Sequence, residues 1–292
     1  MMESASERIA RLPCWSGPVL PEILKGGITN ANFVVRDRGD RFVVRLAEDI
    51  PVHGIMRFNE LAASRAAHAA GLSPEIVYAE PGVIVLRYID GNTLTPCAVR
   101  DPAMLGRIVD LIKRAHVEIP LHLRGPALIF WVFHVIRDYA ASLRELQSPH
   151  CDRLPALLDC ATKLERDVGA VELVYGHNDM LAGNLIDDGA RLWLIDWDYA
   201  GFNSPLFDLG GLTSNNELSA DEEAWVLDRY FGRRDEDLMH RFAAMKSASL
   251  LRETLWSMVS ERVSKIDFDY AAYTAMNLER FTASYAALQG KA

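Results

Sequence analysis

The sequence predicts an α+β fold in two lobes, a small β-rich N-terminal lobe at residues 1–90 and a larger, mainly helical C-terminal lobe at 91–292. Three observations carry that expectation. Short apolar runs separated by turn residues crowd the first ninety positions, helical periodicity takes over from Asp101, and a single apolar hairpin interrupts the helices.

In the first lobe, residues 22–25, 31–36 and 41–46 read as three antiparallel strands, joined by turns at Gly26-Gly27 and at Asp37-Arg38-Gly39-Asp40. Residues 57–70, rich in Ala, Leu and Glu, read as a helix that Gly71 stops. Residues 75–78 and 83–88 supply two more strands before Asp90-Gly91 breaks the pattern. Beyond that break, helices are expected at 101–118, 127–146, 152–168, 219–231, 236–263 and 268–288. Neither an internal repeat nor a low-complexity tract is present.

Composition narrows the function classes. Half of the 292 residues are hydrophobic, enough for a substantial core. No uninterrupted apolar run reaches the roughly 18 residues of a membrane span, so no membrane insertion is expected. The opening MMESASERIARLPCW carries Glu3 and Glu7 and lacks the basic start and apolar centre of a secretory signal, which points to a cytoplasmic setting. Cys14, Cys97, Cys151 and Cys160 are scattered without close pairing and read as free thiols. A formal charge of −9 argues against a nucleic-acid partner and is compatible with a cationic ligand.

The most informative stretch runs from Tyr175 to Asp208, YGHNDMLAGNLIDDGARLWLIDWDYAGFNSPLFD. An Asp followed five residues later by an Asn, and then by an apolar strand ending in a second Asp, sets one base and two metal ligands around a point, as phosphoryl transfer requires. Asp179 is placed to accept or orient a hydroxyl proton. Asn184 and Asp196 offer the hard oxygens that magnesium prefers. His177 reads as a brace that holds the loop by hydrogen bonds to backbone. The apolar runs 184–186 and 192–195, split by Asp187-Asp188-Gly189-Ala190, form a tight hairpin that brings Asn184 near Asp196.

With these residues in view, the chain resembles the choline/ethanolamine kinase family, within the larger group that includes aminoglycoside phosphotransferases. The likeness covers nearly the whole chain and is most specific in GGITNANFVVR, YGHNDMLAGNLI and LIDWDYAGFNSPLFDLGGL. It implies a bilobal, protein-kinase-like fold with ATP in the cleft and Mg2+ as its companion. It also implies that the loop from Gly26 to Asn32 covers the phosphates, with Gly27, Thr29 and Asn30 as donors. Arg45 would hold the phosphates and Glu60 would be its ion-pair partner, while residues 86–89 would connect the lobes. His116 would be structural. Asp208 would anchor the catalytic loop, or else cap a helix. Asp196-Trp197-Asp198 stands where protein kinases have Asp-Phe-Gly, and no Ala-Pro-Glu segment follows, which favours a small-molecule acceptor.

For that acceptor, the resemblance assigns Trp256 and Tyr270, with Phe268 and Tyr273 nearby, to an aromatic wall that would attract a quaternary ammonium. Asp198 and Glu253 are candidate counter-charges. The family's Tyr-Asn-Tyr stretch is Phe202-Asn203-Ser204 here, a departure that bears on the head group. The implied activity is ATP-dependent phosphorylation of the hydroxyl of choline, ethanolamine or a related amino alcohol. A thiamine or aminoglycoside phosphotransferase, and a catalytically silent nucleotide-binding protein, are the alternatives.

Overall fold

The computed structural model describes residues 4–24 and 31–290. Its first lobe is a five-stranded antiparallel sheet in the order β1-β2-β3-β5-β4. The strands are β1 (Glu22–Leu24), β2 (Ala31–Asp37), β3 (Asp40–Leu46), β4 (Ile76–Glu80) and β5 (Val83–Arg87). Alternation divides its side chains between two faces. Phe33, Val35, Phe42, Val44, Val83 and Val85 point to one face and pack with Ile9 and Leu12. Ile9 belongs to α1 (Ala5–Ala10), a six-residue helix with a Ser4–Glu7 capping box that the periodicity reading missed.

The register places Arg45 of β3 between Asn32 of β2 and Ile84 of β5. Helix α2 (Arg57–Ala69) presents Glu60, Ala63, Ser64 and Ala67 on one buried stripe at i, i+3, i+4, i+7 spacing. Its small residues let the helix sit close against its neighbours. It ends as the sequence predicts, because Gly71 at φ 72 lets its own N–H reach His68 O and that of Leu72 reach Ala67 O.

The second lobe begins with β6 (Asn92–Thr93), α3 (Pro96–Val99), α4 (Pro102–His122), α5 (Val132–Glu145) and α6 (Leu154–Val168). Then come β7 (Val174–Gly176), β8 (Leu185–Asp187), β9 (Leu192–Leu194) and β10 (Gly201–Asn203), followed by α7 (Pro205–Asn215), α8 (Ala220–Phe231), α9 (Glu236–Val263) and α10 (Tyr270–Gln289). Helix α9 is buried on every side, from Phe242 through Ser260, and is the rod around which α5, α6, α7 and α10 pack.

Several elements differ from expectation, α1, β6 and α3 among them, and three more lie near the turn that carries Asp179. The helix expected from residue 127 starts at Val132, because 128–130 run extended and pair with Phe202 through Phe130 N–Phe202 O and Phe202 N–Leu128 O, each at 2.9 Å. Strands β7 and β10 pair with each other, so the hairpin is not the sole interruption of the helices. Helix α7 was not expected, since Pro205, Gly210 and Gly211 resemble loop residues. Gly210 permits the close approach there, because a Cβ would lie 3.1 Å from Lys246 Cα on α9, tighter than an ordinary contact.

Candidate active site

The turn that carries Asp179 leaves β7 at Gly176 and is held from below by one carboxylate. Asp208, 2% exposed on α7, accepts the backbone N–H groups of His177 at 2.8 Å and Asn178 at 2.7 Å. The same carboxylate meets His116 Nε2 at 2.9 Å, and His116 Nδ1 meets the Tyr230 hydroxyl at 2.7 Å. Burial works against the charge on Asp208, yet His116 and the N–H donors outweigh it and keep the carboxyl below its ordinary range. Ser204, not Asp208, caps α7, so of the two readings left open the anchor is the one observed.

Asn178 completes the turn. It takes φ 65, a left-handed conformation that Asn tolerates, and its amide donates to Tyr199 O at 2.9 Å and Gly201 O at 3.2 Å while accepting from Asn203 at 3.0 Å. His177 bridges the two halves of the motif. Its Nε2 meets Ile195 O at 2.9 Å, and its Nδ1 accepts the Asp179 N–H at 3.3 Å. These contacts assign a neutral ring with the proton on Nε2, and burial lowers its pKa accordingly.

Asp179 and Asn184 meet directly. The Asn184 amide donates to Asp179 O at 2.9 Å and to Oδ2 at 3.2 Å, which leaves the amide oxygen for another partner. The β8–β9 hairpin closes as predicted, and Ile195 N–H bonds Asn184 O at 3.0 Å, setting Asp196 one residue beyond that pairing. Asp196 sits at φ 70 without being glycine, a conformation kept where the surroundings demand it. Burial raises Asp179 to about 7, with Arg252 opposing the rise and Glu253 and Asp196 adding to it.

Beside this turn lies an ion cluster. Arg45 Nη1 bonds Glu60 at 2.7 Å, Asp196 at 2.8 Å and Asp198 at 3.2 Å. Arg57 Nη1 bonds Glu60 at 2.6 Å and Asp198 at 2.7 Å. Burial opposes the charge on Asp196, but Arg45 prevails and holds it below the usual carboxylate range. Asp198 is pushed the other way, up to about 6, by burial and by Asp196 beside it. A cavity of about 360 Å³ opens on the sheet side of this cluster, walled by Phe58, Leu61, Ala79 and Ile84.

A small space of about 20 Å³, room for roughly one water, lies against Asp179 and is bordered by Asn178, Met180, Ser249, Arg252 and Glu253. Behind it is a packed aromatic cluster. Trp256, 4% exposed, donates its indole N–H to the Tyr199 hydroxyl at 2.8 Å and lies 5.3 Å from His53, 6.1 Å from Tyr270 and 6.3 Å from Tyr273, centroid to centroid. The Tyr270 hydroxyl pairs with Ser264 at 2.9 Å, and that of Tyr273 donates to Glu253 at 2.8 Å.

This geometry can be set beside known proteins. The choline/ethanolamine kinase family model matches residues 22–230. The chain belongs to the choline/ethanolamine kinase family. These are phosphotransferases with an alcohol group as acceptor, and the two lobes have the protein-kinase-like arrangement. Protein LicA of Haemophilus influenzae is 26% identical over 279 residues, spanning 90% of this chain and 78% of LicA. A probable ethanolamine kinase of Arabidopsis thaliana is 26% identical over 287 residues, spanning 86% and 76%. The crystal structure of a choline/ethanolamine kinase family protein from Mesorhizobium loti superposes with a TM-score of 0.77 at 28% identity, covering 97% of each chain.

For a member of this family, the predicted site residues are only partly brought together. Asp179, Asn184 and Asp196 share one turn and hairpin, and Arg45 pairs with Glu60. Gly27, Thr29 and Asn30 lie outside the described residues. Asp198, expected to face the acceptor's ammonium, is instead spent on Arg45 and Arg57, because two guanidinium groups lie within bonding distance of it. Trp256 and Tyr270, expected as walls of the acceptor site, are buried side chains whose polar atoms bond Tyr199 and Ser264, and they do not border the small space beside Asp179. Arg57, Asn178 and Arg252 were missed. Arg57 had a signal, since it stands three residues before Glu60 on a helix. Asn178 and Arg252 had none in spacing alone.

Proposed function

We propose that the protein is an ATP- and magnesium-dependent kinase that transfers the γ-phosphoryl group to the hydroxyl of choline or a related amino alcohol such as ethanolamine. The observation that carries this reading is the convergence of Asp179, Asn184 and Asp196 on a turn anchored by Asp208. Asp179 receives the acceptor hydroxyl as hydrogen-bond donor, aims its oxygen and takes its proton as the bond to phosphorus forms. The Asn184 amide oxygen and the Asp196 carboxylate would hold magnesium, and the donor set fits. Both are hard oxygens and Asp196 is held ionised by Arg45, as suits an ion completed by phosphate and water. Bound there, the ion neutralises charge on the transferring group.

Arg45 presents a planar fork to phosphate oxygens, with Glu60 fixing its direction from α2. Gly27, Thr29 and Asn30 would cover the phosphates from above. On the acceptor side, Glu253 lies beside Asp179 and, although it already accepts from Arg252 and Tyr273 at 2.8 Å each, would share its charge with an ammonium, with Trp256 and Tyr270 packed behind it. Release of ADP, measured by a coupled assay with choline, ethanolamine, thiamine and an aminoglycoside, tests the reading. Stimulation by an amino alcohol, lost in Asp179→Ala while ATP still binds, is the expected result. Stimulation by none of the four would overturn it, and preference for thiamine or the aminoglycoside would move the acceptor class.

A further inference from the structure

The chain on both sides of Asp196 is gripped by one short segment that follows α2. Gly71 turns the backbone there, and the Leu72 carbonyl accepts the Leu194 N–H of β9 at 2.9 Å. The Ser73 hydroxyl donates to the Leu194 carbonyl at 2.5 Å and accepts the Trp197 indole N–H at 2.9 Å. Ser73 and Trp197 are buried and Leu194 is fully enclosed. One hydroxyl therefore ties the backbone two residues before Asp196 to the side chain that follows it. Trp197 in turn lies edge-on to His177, with centroids 4.7 Å apart, and His177 holds Ile195 O and the Asp179 N–H. The phosphotransfer chemistry above uses neither Ser73 nor Trp197.

A left-handed backbone at a residue other than glycine persists only where the surroundings over-determine it, and Asp196 is such a residue at φ 70. Arg45 meets its carboxylate, but the backbone beside it is fixed by Leu72, by Ser73 and by the bond from Ile195 N–H to Asn184 O. We infer that Ser73 is a positioning residue for the magnesium site: by holding Leu194 and Trp197 at once, it sets the direction in which Asp196 presents its carboxylate beside Asn184. This rests on the reading of Asp196 and Asn184 as magnesium ligands. Although Ser73 precedes β4 in the chain, its neighbour Leu72 and the buried stripe of α2 pack in the same core as Leu185, Leu194 and Trp197, whereas the outer face of the sheet packs in a separate one. The support and the two ligands thus belong to one packed body. Partners one step removed from a metal ligand are commonly worth about 10–100-fold in metal affinity.

Mn2+ serves as the probe for this site. Its binding to the full chain, with a non-transferable ATP analogue present, is read by electron paramagnetic resonance from the free ion. Ser73→Ala is expected to weaken Mn2+ binding about tenfold. Ser73→Cys, of similar shape with a weaker donor, is expected to fall between Ala and wild type. Trp197→Phe keeps a ring beside His177 but has no N–H, and it is expected to weaken binding in the same direction. The double variant Ser73→Ala, Trp197→Phe should match Ser73→Ala within about twofold, since both changes break one chain of contacts. In steady-state ADP release the apparent magnesium constant should rise about tenfold in Ser73→Ala, with most of the lost rate recovered at saturating magnesium. Mn2+ binding by Ser73→Ala within about twofold of wild type, or a fall in kcat with the magnesium constant unmoved, overturns the inference. Asp196→Asn separates this from the reading beneath it. If Mn2+ binding survives Asp196→Asn, the magnesium reading fails and the role of Ser73 with it; if Asp196→Asn abolishes binding and Ser73→Ala leaves it intact, only the role of Ser73 falls.

Discussion

Replacing Asp179 by Asn should make the ligand-free protein more stable at alkaline pH while removing its activity. Burial raises the Asp179 carboxyl from 3.8 to about 7. A group whose folded pKa is raised contributes stability that is full below its unfolded value and is lost as pH climbs through the folded one. The ionised carboxylate therefore weakens the fold at pH 8. The whole shift corresponds to about 4 kcal/mol at roughly 1.4 kcal/mol per unit. Asp179 is only half-buried, so solvent reduces this, and a gain of about 2 kcal/mol is expected for the neutral amide. Asn keeps an oxygen for the Asn184 donor, so little packing changes. Urea unfolding followed by circular dichroism at pH 4, 6 and 8 measures the difference. Asp179→Asn should lead at pH 8 and lose its lead by pH 4, while ADP release falls by about 100-fold or more. A variant less stable than wild type at pH 8, or a gain of equal size at pH 4, would refute the reasoning.

Asp208→Asn should cost about 3 kcal/mol in urea unfolding, because an amide cannot accept from both backbone N–H groups and His116, and a buried donor is left unmet. A change below about 0.5 kcal/mol would contradict the anchoring role. Gly210→Ala should lose roughly 1–3 kcal/mol by forcing α7 away from Lys246 on α9, read as a lower urea midpoint at unchanged slope. His53 is buried between Tyr139 and Ser260, and burial with Arg252 nearby lowers its pKa from 6.5 to about 3. Its stability contribution is full above 6.5 and falls as pH drops toward 3, so wild type should lose about 1 kcal/mol more than His53→Gln between pH 7.5 and 5.5. Parallel pH curves for the two proteins would refute it.

The local geometry around Asp179 was more legible in the sequence than the surroundings of Trp256, and the reason is physical. Asp179, Asn184 and Asp196 are set by a turn and a hairpin a few residues long, so local spacing determines their meeting. The ending of α2 was legible for the same reason, since Gly71 supplies the left-handed residue that two local hydrogen bonds need. Helix α7 was hidden because Pro205, Gly210 and Gly211 break helices in isolation, and only the close approach of α9 explains them. Trp256 and Tyr270 stand at a periodicity common to a ligand wall and a packed core, and their bonds to Tyr199 and Ser264 could not be read from that spacing. Arg252 and Asn178 owe their positions to contacts with residues tens of positions away.

The short α1 has a practical bearing on how the protein is handled. Trimming the chain past Leu12 would strip the cover from Phe33, Val35, Phe42 and Val44, turning an inner surface into a sticky outer one. Fusion partners or tags are better joined ahead of Ser4, where the capping box can still form, than substituted for the first dozen residues.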